Sequence, residues 1–529
     1  MEKKFVSTPA EDPQLNPVPL DAGAADVSTL AGGASVSLGG KILGRSLSFL
    51  GDIAAARILG PDSFGLYAIG WTVLRTLSLI SPLGLDQGII YFGSPYWRKD
   101  NAALKNVLNR SLGLALVSGL MFGGGLYLGA PILAQQVFQK PALTYIFRWF
   151  ALSFPLVSIL AVALAATRIT QRMKYSAGID DIGQPATGLL FLIIFYLFGL
   201  RLIGVLASDV LSFAIPSILA VWVLWRLFPG SRGASSGAAQ TNRELLAFSI
   251  PASLAGVFTP FLIWVDRLIV GHFRTPAETG VYQAVSQTST VFAVILSAFA
   301  AIFLPLIADL YHKKEFARLE ELFRISTKWG LYISLPVFVM LCVFPREILI
   351  YVFDGRYADG WLPLIILSVG QLASVGGGAI GPLLVMTGHQ KRWSILSGVA
   401  LGVNICLNWY LVPKYGLTGA AVSTAISLCG LSLFGVFQVW GRLKMWPYDR
   451  RYLKGLTGAG LAIIGLLAYR SFFPIHSLPG VFIATLIAGI IFLAAVLALG
   501  LDREDSDFAR LSLARWNRMR EGRPKENGQ

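Results

Sequence analysis

Four polar residues share one face of an otherwise apolar segment. Lys41, Arg45, Ser48 and Asp52 stand at i, i+4, i+7 and i+11, a spacing that at 100° per residue keeps them on one stripe of a helix. Leu43, Leu47 and Leu50 take the other side. Two cations one turn apart repel unless water or an anion lies between them. Lys41 and Arg45 therefore point to a wet cavity and an anionic ligand such as phosphate, held by charge-assisted hydrogen bonds. A second stripe, Tyr67, Trp71, Arg75 and Ser78, combines apolar aromatic bodies with hydrogen-bonding tips, a surface suited to sugar rings.

Other candidates lie further along the chain. Arg148 and Arg267 also fall inside apolar stretches. A charge at a helix centre costs about 2.5 to 3.5 kcal/mol on insertion scales, so these cations are expected to face water. Gln283, Gln287 and Thr290 form a polar face, and Gln371, Asn404 and Asn408 add amides. Asp52 and Asp266 serve either ion coupling or, with Arg267, a structural charge layer. For each residue the plainer reading, an interhelical hydrogen bond or a snorkelling side chain, stands beside the ligand-binding one.

The elements that must carry these residues follow from composition. Of 529 residues, 55% are hydrophobic and 14% charged, with a mean hydropathy of +0.64, whereas a soluble chain carries about 25% charge. Apolar runs long enough to cross a hydrocarbon core of about 30 Å recur at 34–57, 64–90, 108–131, 142–167, 184–200, 202–225, 245–271, 279–308, 327–345, 360–386, 393–412, 416–440, 455–471 and 479–500. They are apolar on every side, unlike the alternating strands of a barrel. The expected fold is thus an all-α polytopic membrane protein of about 14 transmembrane helices. Cys342, Cys406 and Cys429 are scattered within these runs, and His272, His312, His389 and His476 are equally dispersed. Neither set has the spacing of a disulfide framework or a metal site. The Gly376 to Gly381 cluster has no Gly-Lys-Ser/Thr ending, so it is not a nucleotide loop; it predicts a flexible helix, as Pro155, Pro216, Pro260, Pro305 and Pro336 predict kinks.

The net charge of +15 is a topology signal before it is a sign of nucleic acid. Of the 44 Lys and Arg residues, with those at span edges counted in the adjacent loop, 31 fall in the tails and in loops after even-numbered spans, 8 in loops after odd-numbered spans and 5 within spans. By the positive-inside rule, both termini are expected in the cytoplasm. Residues 1–29 lack an apolar core for a signal peptide and read as a disordered cytoplasmic tail. The tail 501–529 is basic, and Phe508 to Arg520 has the composition of an interfacial helix on anionic membrane lipid.

A short motif recurs. Pro61 to Tyr67 (PDSFGLY) and Pro276 to Tyr282 (PAETGVY) share Pro, Gly and Tyr at an offset of 215. Six expected spans separate them, so the halves share one orientation and form a parallel repeat about an axis along the membrane normal. The expected organisation is a six-helix N-lobe at 30–227, a Gly/Ser-rich cytoplasmic linker at 228–243, a six-helix C-lobe at 244–441, and two further helices over 442–500.

Ala55 to Ala68 (AARILGPDSFGLYA), the following Gly84 to Gly88 (GLDQG), and Asp266 to Gly271 (DRLIVG) leading to Gly280–Tyr282 resemble the signatures of bacterial polysaccharide flippases of the O-antigen type, in the MATE-like superfamily. The resemblance covers the layout from about 34 to 500. It implies a flippase of the bacterial inner membrane that moves undecaprenyl-diphosphate-linked oligosaccharides by alternating access, for O-antigen, capsule or exopolysaccharide. It implies as partners the lipid-linked oligosaccharide, a polysaccharide polymerase and a chain-length regulator. A MATE-like exporter of small cations shares the fold but would favour acidic cavity groups. A membrane polymerase would carry a large outside loop with catalytic residues, and the longest outside loops expected here are only about a dozen residues. No cofactor is expected. Without an ATP-binding motif, active transport would draw on a proton or a sodium gradient.

Overall fold

In a computed structural model, residues 20–170, 173–228, 241–473, 477–500, 502 and 504–506 are described. All regular elements among them are helical. The first half comprises α1 (Leu20–Ser78), α2 (Leu85–Gly93), α3 (Asn101–Ile132), α4 (Leu143–Ala151), α5 (Ser153–Ile169), α6 (Met173–Ser176), α7 (Gln184–Leu197) and α8 (Leu202–Leu227). The second comprises α9 (Asn242–Phe273), α10 (Pro276–Ser289), α11 (Val291–His312), α12 (Phe316–Val343), α13 (Pro345–Val352), α14 (Trp361–Gly377), α15 (Ile380–Met386) and α16 (Gln390–Leu443), followed by α17 (Arg451–Phe472) and α18 (Leu478–Ala498). Among the described residues, ten helical stretches are long and apolar enough to cross a membrane, one of them the whole of α16. The chain is a multi-pass α-helical membrane protein.

The first two expected spans form one long helix rather than two joined by a loop. Gly60 alone leaves helical geometry, at φ 70°. That left-handed conformation suits glycine, and Pro61 restarts the helix at the position where a missing N–H costs nothing. Gly416, at φ 59°, bends α16 in the same way three residues after Pro413. The second expected span is interrupted between α1 and α2, where Leu83 and Gly84 have positive φ. The tenth breaks at Gly378, φ 72°, where the glycine cluster predicts flexibility. Helix α10 starts where Thr275 and Glu278 form a reciprocal capping box with Pro276 in the first turn.

Two expectations about the ends change. Helix α1 begins at Leu20, inside the stretch expected as a disordered tail over 1–29; residues 1–19 lie outside the described residues, as do 229–240 of the expected linker and Phe508 to Arg520. The start of the expected tail 501–529 is seated on the protein. Lys328, 1% exposed, donates to Asp502, Glu504 and Asp505 at 2.8 to 2.9 Å.

Helices α1, α2 and α3 meet α9, α10 and α11 across a seam between the two halves, and α17 and α18 pack on α12. One close crossing is between the two repeated motifs. A side-chain carbon added at Gly65 would run into the backbone of Pro276 and Gly280, and one added at Gly280 into that of Pro61 and Gly65. Such reciprocal contact is what a two-fold relation between the halves produces. Around it, Arg57 donates to the carbonyls of Tyr351 and Val352, Tyr357 to the carbonyl of Ala56 at 2.9 Å, and Lys140 to that of Gly271 at 2.6 Å. The seam is sealed at the end that carries Gly60 and Phe273, and the halves also meet at the opposite end, where Gly84 and Gly88 abut Ser249 and Tyr91 stacks on Phe248 at 4.2 Å.

Candidate functional site

The stripe on the second half of α1 is built against α8. Arg75 lies over the Trp71 ring at 4.9 Å and the Phe213 ring at 5.4 Å. It is within electrostatic reach of Asp209 on α8 and of Asp180. The Tyr67 hydroxyl is directed at Asp209, while Ser78 returns its hydrogen bond to the carbonyl of Arg75. Two buried atoms here, Arg75 Nε and Asp209 Oδ2, have no hydrogen-bond partner.

Across the seam the C-lobe supplies a buried polar network. Asp266 and Arg267 of α9 are 1% and 2% exposed. They do not pair with each other through their side chains: Asp266 accepts from Tyr282 at 2.7 Å and Thr424 at 3.2 Å, and Arg267 donates to Ser286 at 2.6 Å. Asn404 donates to Thr424 at 3.3 Å, and Asn408 donates to Asn404 Oδ1 at 2.9 Å. Burying so many polar groups is tolerable only because most find partners. Arg267 Nε, Gln283 Oε1 and Asn408 Oδ1 do not.

Asp52 joins the two halves. Its carboxylate accepts a hydrogen bond from Gln287 of α10, and it lies within electrostatic reach of Asp209, Arg267 and Arg75. Trp71 meets Trp264 edge to face at 6.2 Å across the same seam. A charged cluster drawn from both lobes thus sits where a movement of one lobe against the other must rearrange it. Closer to the start of α1, Lys41 and Arg45 are exposed and Ser48 is half-buried. Both cations are in electrostatic reach of Asp181. Asp180 and Asp181 belong to a π-helical turn, Ala177–Gly183, that packs on α1. Gly40 and Gly44 allow this approach, because a side chain at Gly44 would overlap the Asp181 carbonyl.

The expected residues therefore divide. Asp52, Tyr67, Trp71, Arg75, Arg267, Gln283 and Gln287 line or abut the seam, with Lys41, Arg45 and Ser48 along the same helix. Arg148 stands apart: it is exposed and lies over the Tyr127 ring at 5.1 Å, the posture of a snorkelling side chain. The acidic partners Asp180, Asp181 and Asp209 were missed. For Asp209 a signal existed, since it is an ionisable residue inside the expected span 202–225. Asp180 and Asp181 carry none, because only tertiary packing brings their turn against α1. The charged groups on and around this face of α1 are consequently of both signs rather than purely basic.

Among the described residues no group of three or more His, Cys, Asp or Glu could hold a metal. The hydroxyl, amide and carboxylate oxygens of Asp266, Tyr282, Asn404, Asn408 and Thr424 form a set of the kind that suits a hard cation.

The family model described as polysaccharide biosynthesis protein matches residues 30–311. The chain belongs to this family. A second model, MatE, matches residues 251–410. The family member is 22% identical over 391 residues to the probable low-salt glycan biosynthesis flippase Agl15 of Haloferax volcanii, covering 73% of this chain and 78% of that one. It is 23% identical to the succinoglycan biosynthesis transport protein ExoT of Rhizobium meliloti, covering 80% and 81%. Its fold matches an inward closed structure of the lipid II flippase MurJ with a TM-score of 0.69 at 16% identity, over 86% of this chain and 96% of that one. It also matches an inward-facing MATE family transporter of the MOP superfamily, with a TM-score of 0.63 at 17% identity, over 78% and 98%.

Proposed function

We propose that this protein is a non-enzymatic flippase that moves undecaprenyl-diphosphate-linked oligosaccharide repeat units across the bacterial cytoplasmic membrane by alternating access. The carrying observation is the cluster of Asp52, Arg75, Arg267 and Gln287, drawn from both lobes at the seam between them. Membership of the polysaccharide biosynthesis family, and relatives named as flippases and polysaccharide transporters, support the substrate class.

In this reading Lys41 and Arg45 receive the diphosphate and Tyr67, Trp71 and Arg75 receive the sugars. The polyprenyl chain stays in lipid. The acids matter as much as the cations. Asp180 and Asp181 partly neutralise Lys41 and Arg45 while the cavity is empty, and an incoming diphosphate competes with them. Separation of the seam at Gly65 and Gly280 would then open the far side. The Asp266 network is the candidate for coupling to a proton or sodium gradient. We further assign fourteen crossings, both termini to the cytoplasm, the lobe boundaries 30–227 and 244–441, and a polymerase and chain-length regulator as partners in the same pathway.

The carboxylates Asp52 and Asp209 favour one second reading, a MATE-like exporter of small cations, since two acids beside aromatic rings also suit a cationic guest. A deletion strain separates the two. A flippase predicts accumulation of lipid-linked repeat units on the cytoplasmic leaflet, read by mass spectrometry, and loss of surface polysaccharide. Normal delivery of repeat units with increased sensitivity to cationic compounds would favour the exporter.

A further inference from the structure

A cavity of about 320 Å³ opens at the end of α12, bounded by the start of α13, the start of α14 and the end of α17; Cys342, Arg346, Glu347, Trp361 and Arg470 contribute to its wall. Of the helices that meet across the seam only α13 lines it, and by its first turn; its far end, at Tyr351 and Val352, is the part that faces Arg57 of α1, so the cavity is separate from the interlobe site.

Its polar groups are unevenly satisfied. Glu347 Oε1 accepts from Arg470 at 2.9 Å, and Arg470 also donates to the Val343 carbonyl at 2.8 Å. Glu347 Oε2 is buried and has no partner. A buried carboxylate oxygen left unpaired is costly, and an N–H donor entering the cavity would relieve that cost. Arg346, next in the chain, is exposed and its guanidinium is directed to no acid among the described residues. With Arg470 taken up by Glu347 Oε1 and the Val343 carbonyl, the cavity offers one free acceptor and one cation not paired with an acid, which together match a guest carrying both an ammonium and a phosphate.

The surroundings identify where such a guest comes from. Trp361 at the mouth is 44% exposed, and tryptophan is the residue characteristic of the headgroup level of a membrane. Exposed apolar side chains continue from it along α14, at Leu362 and Val369, and along α17, at Leu467, Ile464 and Leu461. Helix α12 packs against both α14 and α17 and floors the groove between them. We propose that the cavity holds the headgroup of a phosphoethanolamine phospholipid, with phosphate on Arg346, ammonium on Glu347 and acyl chains along the α14–α17 groove. The site does not depend on what the protein transports.

Cys342 provides the readout. In a Cys406→Ser, Cys429→Ser background it is the remaining cysteine, and its modification by N-ethylmaleimide is followed by mass spectrometry in nanodiscs. Discs of phosphatidylcholine alone serve as reference, because choline has no N–H to donate. Adding phosphatidylethanolamine to about 90% occupancy is expected to slow modification about tenfold by mass action. Arg346→Ala, a change at an exposed position, should abolish the protection, and Arg346→Lys should retain most of it. Equal rates in the two lipids would overturn the proposal. So would equal protection by phosphatidylglycerol, which has the phosphate without the ammonium, or full protection in Arg346→Ala.

Discussion

Adding a single methyl group at Gly280 tests whether the seam is a gate. The added carbon would meet backbone alone: it would overlap the Pro61 carbonyl oxygen and lie 2.9 Å from the Pro61 carbonyl carbon and 3.0 Å from the Gly65 nitrogen. Backbone cannot swing aside as a side chain can, so α1 and α10 must separate for Gly280→Ala to fit. Overpacking of this kind costs about 1 to 3 kcal/mol. The cost falls only on the sealed arrangement, so the ratio of open to sealed molecules should rise by about one to two powers of ten. Spin labels at Asp62 and Asp359, both exposed and on opposite sides of the seam, report the separation by pulsed electron resonance. The wild type should show one short distance and Gly280→Ala a second, longer one. Tyr357→Phe, which removes one buried hydrogen bond to Ala56, should shift the population the same way by a smaller factor, since such a bond is worth about 1 kcal/mol. Distance distributions identical to wild type in a correctly inserted Gly280→Ala protein would refute the gate.

Three further outcomes are expected. Surface polysaccharide per inserted molecule should fall most in Arg45→Ala and Arg75→Ala and be partly kept in Arg45→Lys, which retains charge but loses the bidentate fork; wild-type output from both alanine variants would remove the cavity mechanism. In intact cells a membrane-impermeant thiol reagent should label a cysteine placed at Asp359 and not one placed at Lys444, and the reverse pattern would invert the topology. Asp502 and Glu504 are pulled up by burial but more strongly held below their ordinary range by hydrogen bonds, to Lys454 and Lys328 for Asp502 and to Lys328 for Glu504. Their contribution is therefore present above the unfolded values and lost as pH falls through the folded ones, so the tail should release from Lys328 only once the pH drops below the ordinary carboxylate range. A spin label at Ser506 should stay immobile at pH 7 and become mobile in acid, and equal mobility at both would contradict the linkage.

Long apolar runs, the alternation of basic loops and the paired PDSFGLY and PAETGVY motifs are local or periodic features, so the class of fold, the helix stripes bearing Lys41 to Asp52 and Tyr67 to Arg75, and the two-fold repeat were legible in the sequence. Each follows from a length or a spacing along one element. Contacts between elements do not. That Gly65 and Gly280 meet each other, that Asp266 turns to Tyr282 and Thr424 instead of Arg267, and that Arg148 lies apart over the Tyr127 ring depend on how helices are rotated about their axes. Nor does a residue count reveal a field. The excess of cations on α1 predicted a basic cavity, but Asp180, Asp181 and Asp209 come from other elements, and only packing places them within reach of Lys41, Arg45 and Arg75. Coulomb energy depends on separation in space rather than along the chain, so the sign and balance of the site were decided by the tertiary structure.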